Sequence, residues 1–197
     1  MVVKIVDAPR AAQEAVLEVL DYLCEIMALQ PTALHDARPG QIKLVLPMRM
    51  AFLPLDRIER GARLRDTTTE TAWRFLVQAG DAKPAAAAQA VMTGPNTYRF
   101  GGISEGAAVA GTAVGYERAR SLPIVAGRDY EPWLLAAPAI HTLALWLHGP
   151  EPAADLVLPL PPSRTLAHLQ PLSAADFMNR AAVEAATVSR KNDHSGG

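Results

Sequence analysis

The stretch Tyr98-Arg-Phe-Gly-Gly-Ile-Ser-Glu-Gly-Ala-Ala108 predicts a strand, a glycine-rich turn and the start of a helix. The helix is expected to extend over 105–120. Before the strand, Thr93-Gly-Pro-Asn96 is a strong turn signal, because proline and asparagine favour turn conformations. We therefore expect a hairpin between 89–93 and 98–103, followed directly by a helix that can cover it.

Within this stretch, Gly102-Ile-Ser-Glu-Gly106 matches the pattern G-x-S-x-G and resembles the nucleophile elbow of α/β-hydrolases over five residues. The resemblance implies Ser104 as a nucleophile, with His141 as the base and Asp155 as the acid that orients it. Other downstream candidates are Asp129, His148 and His168. The chain lacks the βαβ units that place such an elbow in a parallel sheet, so a serine hydrolase is kept as an alternative function.

The same turn has two further interpretations. Ser104 can cap the helix that follows it, with Glu105 placed in the first turn. Alternatively, Gly101, Gly102 and the N–H groups of 104–106 can cradle an anion at the helix start, although Glu105 would repel it. The sequence leaves these alternatives open.

Two other helices are predicted. Apolar residues from Val16 to Met27 recur at spacings of three and four, which predicts a helix over 9–29 with one apolar stripe. Ser173 followed by Asp176 resembles a capping box and predicts the start of a helix over 174–190.

Apolar and β-branched runs predict the strands. They lie at 42–46, 67–79, 98–103, 130–135, 140–148 and 156–160. The alanine-rich segment 80–90 is expected to be a loop followed by a short helix or strand. Because strands and helices do not alternate regularly, the predicted fold class is α+β, with a mainly antiparallel sheet covered by two or three helices. Residues 1–190 are expected to form a single domain and 191–197 a disordered polar tail.

Composition excludes several classes of protein. The chain has 197 residues, of which 50% are hydrophobic and 20% charged, with a formal net charge of −1. This balance favours a folded protein without the basic field that nucleic acid requires. No run approaches the roughly 18 apolar residues that span a bilayer, so no membrane partner is expected. The single cysteine, Cys24, cannot form a disulfide within the chain, which favours a reducing, cytoplasmic location.

Side chains that could form a site are sparse. His141 and His148 fall on opposite faces of a predicted strand, so no metal site and no cofactor are expected. Arginines in the charged segment 56–66 could recognise a phosphate or carboxylate, or could lie on an exposed turn or short helix. The aromatic residues of the predicted sheet could line a ligand or partner surface, or could be core: Trp73, Tyr130, Trp133 and Trp146.

Because no chemical constellation is complete, the sequence favours a non-enzymatic binding or interaction domain. The expected partner is another protein or a second copy of the chain. The 16 prolines support this interpretation, since they predict long ordered connections, which are common places for contacts. The alternatives are the serine hydrolase and a carrier of an apolar small ligand.

Overall fold

The computed structural model describes residues 3–59, 63–163 and 166–194. Contacts divide the chain into two compact units, which we describe one at a time. One unit comprises 5–50 and 71–114, and the other comprises 1–4, 51–70 and 115–197.

The described residues contain five α-helices and eight strands. In chain order they are α1 (Arg10–Glu25), β1 (Ile42–Phe52), α2 (Leu55–Glu59), α3 (Leu64–Thr67), β2 (Thr69–Ala79), β3 (Ala86–Gly94), β4 (Thr97–Glu105), α4 (Ala107–Arg120), β5 (Glu131–Ala137), β6 (Thr142–His148), β7 (Leu156–Pro159), β8 (Leu172–Ser173) and α5 (Ala174–His194). We call the two units the α1 unit and the α5 unit after the helices they contain.

The α1 unit is built on strands in the order β4-β3-β2-β1. β3 pairs antiparallel with both β2 and β4. The predicted hairpin is confirmed, since Gly94 faces Thr97 across a turn in which Asn96 has a φ of 53°. β1 continues through Pro47 to Phe52, beyond the predicted strand at 42–46.

Helix α1 packs on one face of these strands. Its buried residues recur every fourth position: Ala12, Val16, Leu20 and Cys24. They share a core with Trp73, Phe75 and Val77, which alternate along β2 as period-two strand residues do. The opposite face of β2 carries Leu76, which packs with Ala87 and with Val109 of α4. The sheet of this unit is therefore covered on both faces.

The alanine-rich segment 80–90 is a loop followed by strand β3, so the strand alternative of the prediction is confirmed. Ala86, Ala88 and Ala90 belong to the core under α1, while Ala87 belongs to the core under α4. All four side chains are fully buried. Small side chains on both faces let a helix approach closely on either side. The alanine-rich composition does not distinguish a helix from a strand. Burial of the alanines on both faces favours the strand.

The α5 unit contains an antiparallel meander in the order β5-β6-β7-β8, as the sequence predicts for its first three strands. Helix α5 packs against it through Phe177, Met178 and Ala181. The capping box is confirmed, because Ser173 Oγ accepts the N–H of Asp176 at 3.0 Å and donates to its carboxylate at 2.7 Å.

The prediction of an α+β class with a mainly antiparallel sheet and covering helices is confirmed. A single domain over 1–190 stays a prediction. Helix α5 continues to His194, further than the predicted 190 and into the segment expected to be a tail. The remaining tail residues 195–197 lie outside the described residues. Among the described helices, none is both long and apolar enough to cross a bilayer.

Candidate functional site

Ser104 lies within strand β4 and not at the turn. It pairs with Ala87, and its hydroxyl donates to the Ala87 carbonyl at 3.4 Å and accepts from Arg74 Nη2 at 3.0 Å. The turn itself falls at Gly106, which has a φ of 102° and whose carbonyl accepts the first two N–H bonds of α4. Ser104 therefore does not cap the helix, and the predicted cap is wrong.

The proposed partners of Ser104 belong to the α5 unit, whereas Ser104 belongs to the α1 unit. His141 is exposed and has a φ of 47°, at the end of a short 3₁₀ turn before β6 and not inside a strand as predicted. Asp155 is held by groups other than histidine, as described next. The triad Ser104, His141 and Asp155 stays a prediction.

Asp155 is the centre of a buried polar cluster in the α5 unit. Its carboxylate is 1% exposed and accepts two bonds from Arg65, one from Nε at 2.8 Å and one from Nη2 at 2.5 Å. Trp146 Nε1 donates to it at 3.1 Å, and the Gly149 N–H donates at 2.9 Å. Arg65 Nη2 also donates to the Gly149 carbonyl at 2.8 Å. We call these four residues the Asp155 cluster.

The hydrogen bonds of the Asp155 cluster join groups of the protein itself and stabilise its fold. The bidentate fork of Arg65 is the geometry in which guanidinium binds carboxylate most strongly. The hydrogen bond to Asp155 and the charge of Asp155 raise the pKa of Arg65, against the opposing effect of burial. One arginine of the charged segment thus recognises a carboxylate, as one of the sequence interpretations expected, but the carboxylate is the protein's own.

A groove of about 730 Å³ borders the Asp155 cluster. Its walls come from α3, the 3₁₀ turn Pro152–Ala154 and the first turns of α5. Exposed, charged Arg63 and Glu151 line it together with apolar Met178. This volume lies in the range of small-molecule sites. Sequence reasoning missed the groove, because its walls are distant in sequence and share no motif.

The aromatic residues singled out from sequence do not form one surface. Trp73, Tyr130 and Trp146 are each 1% exposed and lie in hydrophobic cores, with Trp73 in the α1 unit and the others in the α5 unit. Trp133 is partly buried and meets Trp146 edge to face, with ring centroids 5.9 Å apart. The ring of His148 stacks on Trp133 at 4.3 Å. A ligand or partner surface at these positions stays a prediction.

A group of exposed apolar residues of the α1 unit lies at the end of α1. Tyr22, Ile26 and Met27 are 58%, 50% and 81% exposed. Tyr22 in the last turns of α1 and Ile26 directly after it are four residues apart and so lie on one side, opposite Leu20 and Cys24 of the buried stripe. We call Tyr22, Ile26 and Met27 the α1 outer face.

Met27 corrects the predicted extent of the first helix. The sequence placed Met27 in the buried stripe of a helix over 9–29, but the helix ends at Glu25 and Met27 adopts a left-handed φ of 51°. The N–H of Ala28 then closes the helix end on the Leu23 carbonyl at 2.8 Å. Because Met27 leaves the helical repeat, it is exposed next to Ile26 in the chain and does not extend the buried stripe.

Cys24 lies in the buried stripe of α1 and is expected to react slowly with alkylating reagents. Burial, followed by the charge of Asp21, raises the pKa of its thiol. Because the thiolate is the reactive form, alkylation by iodoacetamide at pH 8 should be at least about tenfold slower than in the urea-unfolded chain. Mass spectrometry over time measures both rates, and equal rates would contradict a buried Cys24.

Within the described parts of the chain, no group of three or more histidine, cysteine or acidic side chains is placed to hold a metal ion. Comparison of the chain with protein-family models, with curated proteins and with solved structures found no match.

Proposed function

We propose that the protein is a non-enzymatic interaction domain that binds a protein partner through the α1 outer face. The observation that carries the proposal is the exposure of three large apolar residues, Tyr22, Ile26 and Met27, at one helix end. Single exposed apolar residues are ordinary, but three large ones at one helix end form a patch of the kind that marks interaction sites. Tyrosine and methionine are also enriched in interface cores.

The charge around the patch favours a particular kind of partner. Exposed Glu18 and Glu25 lie on the same side of α1, and within this helix the only basic residue is Arg10, which pairs with Glu14 at its far end. A two-fold pairing of α1 with itself would bring these carboxylates together. A partner with apolar side chains flanked by lysine or arginine is complementary to the patch, so we favour it over a second copy.

The binding prediction is tested with selected peptides. A display selection against the wild-type protein should enrich amphipathic peptides that carry basic residues beside an apolar face. Ile26→Asp should weaken binding of these peptides at least about 30-fold, as loss of a central apolar anchor does. Fluorescence anisotropy measures the dissociation constants at low and high salt, and high salt should weaken binding further.

Val183→Asp is the matched control, because Val183 is an exposed apolar residue on α5 and receives the same change. Both variants should melt within about 2 °C of the wild type, since surface substitutions have small effects. Selected peptides that bind both variants equally would contradict the proposal. Light scattering that shows a dimer lost in Ile26→Asp would replace the separate partner with a second copy.

The other functions drawn from sequence stay alternatives. The hydrogen bonds of Ser104 and Asp155 described above do not include a histidine, so they give the serine hydrolase no support. The groove beside the Asp155 cluster is a place where a small ligand could bind, but it does not use the aromatic residues on which the carrier hypothesis rested. Location in the cytoplasm stays a prediction.

A further inference from the structure

Arg74 is a buried cation for which the structure provides a single acceptor. It lies on β2, is 8% exposed, and donates from Nη2 to Ser104 Oγ at 3.0 Å. Its Nε is buried and has no hydrogen-bond partner. Among the described residues no carboxylate forms an ion pair with it. Buried charges are normally paired, because removing an ion from water is costly.

Arg74 lies on an apolar face of the sheet, which makes the lack of a counter-ion more costly. Arg74 shares its face of the sheet with Leu76, which packs with Ala87 and Val109 of the apolar core under α4. Burial is the only cause that lowers the pKa of Arg74, and no neighbouring charge acts against it. The guanidinium is therefore held in an apolar layer without the anion that would compensate it.

The group at the end of Arg74 is nevertheless accessible. Ser104 is exposed and lies on β4, the outermost strand of the α1 unit in the order β4-β3-β2-β1. Gly106 and Ala107, which follow it, are also exposed. The hydroxyl that Arg74 contacts thus belongs to a residue that is exposed where β4 passes into α4, and an anion would approach the guanidinium from there.

The first turn of α4 adds hydrogen-bond donors at the same place. Gly106 accepts the N–H groups of Val109 and Ala110, whereas within the described contacts those of Ala107 and Ala108 donate to no acceptor. These two N–H groups lie at the positive end of a helix of 14 residues. An anion beside Ser104 would satisfy them.

The carboxylate that argued against an anion lies on the other face of the strand. Ser104 pairs with Ala87, in the core under α4, and Glu105 pairs with Ala86, in the core under α1. Glu105 accepts the N–H of Thr32 at 2.9 Å. Since successive strand residues face opposite sides, Glu105 does not share the face on which Arg74 and Ser104 meet.

We propose that Arg74, Ser104 and the first turn of α4 bind a phosphate group carried by a small molecule. Ser104 accepts from Arg74 and so positions the guanidinium on the strand that leads into α4. The remaining guanidinium N–H groups and the two helix N–H groups are donors that suit a tetrahedral oxyanion with several acceptors. In this proposal the G-x-S-x-G stretch binds an anion and does not catalyse a reaction. The proposal does not depend on the α1 outer face.

Inorganic phosphate is the probe, compared with chloride at equal ionic strength. At about 100 times its dissociation constant, phosphate should raise the melting temperature of the wild type by about 5 °C or more. Phosphorus NMR should show a broadened phosphate line in the presence of the protein. Arg99→Met is the matched control, since Arg99 is an exposed arginine on β4, the strand that carries Ser104. This variant should retain both effects.

Arg74→Met should abolish both effects, and in phosphate-free buffer it should melt at or above the wild-type temperature, because an uncompensated buried charge is removed. Ser104→Ala, a milder change, should raise the apparent dissociation constant about tenfold. The proposal is overturned by equal phosphate effects in all four proteins, by no effect in the wild type, or by an Arg74→Met protein that is less stable without phosphate. Acetate that matches phosphate would overturn the phosphate assignment in favour of a carboxylate.

Discussion

Replacing Asp155 with alanine is expected to lower the free energy of unfolding by about 4 kcal/mol. The carboxylate is buried and accepts bonds from Arg65, Trp146 and the backbone of Gly149. Alanine removes the acceptor for all of these donors at once. A guanidinium that is only partly exposed then loses its counter-ion, and leaving such partners unsatisfied costs more than the intact bonds contribute. Urea unfolding followed by tryptophan fluorescence measures the change.

The matched control is Asp129→Ala. Asp129 also accepts a bond from a cation, Lys4 at 3.0 Å, but both side chains are more than half exposed. Its loss should change the free energy of unfolding by less than about 1 kcal/mol. The double variant Arg65→Met with Asp155→Leu should recover most of the stability lost by Asp155→Ala, since apolar replacement of both partners leaves no uncompensated charge. A loss below 1 kcal/mol for Asp155→Ala alone would show that the cluster does not stabilise the fold.

The second large effect is expected at Phe177. Its side chain is fully buried where α5 packs on the core of the α5 unit. Phe177→Ala should lower the free energy of unfolding by about 4 kcal/mol, because it removes a large apolar side chain and leaves a cavity in a packed interior. Chemical denaturation with circular dichroism at the helix band reports the loss of α5 together with global unfolding.

Val183→Ala on the same helix separates packing from helix propensity. Val183 is 67% exposed, and alanine is the better helix former, so this variant should be within about 0.5 kcal/mol of the wild type. If Phe177→Ala lowered the free energy of unfolding no more than Val183→Ala, this would contradict the packing of α5 on the meander.

Periodic segments of this chain are predictable from sequence, because their pattern is local. The stripe on α1, the alternation of Trp73, Phe75 and Val77, and the capping box at Ser173 each lie within a few residues. The hairpin at Asn96 also follows from its turn residues. Such features depend on which face a residue occupies and not on which distant element it meets.

Some features could not be predicted because they depend on contacts between residues that are far apart in the sequence. Arg65 and Asp155 are separated by 90 positions, and no local signal connects them. Arg74 meets Ser104 across an intervening strand, so a motif that looked catalytic becomes a partner of a buried cation. Met27 was misplaced because the helix end is fixed by a backbone reversal that most residue types disfavour.

The alanines of β3 also limit how this protein can change over evolutionary time. Alanine is usually the residue that tolerates exchange best, yet here its methyl group fills the space left between two layers on each face of one strand. A larger side chain at Ala87 or Ala88 would push against α4 or α1, and a compensating change would have to occur in that helix. The alanine-rich segment of β3 should therefore tolerate few single substitutions. A larger residue there should be accompanied by a second substitution in the helix that it contacts.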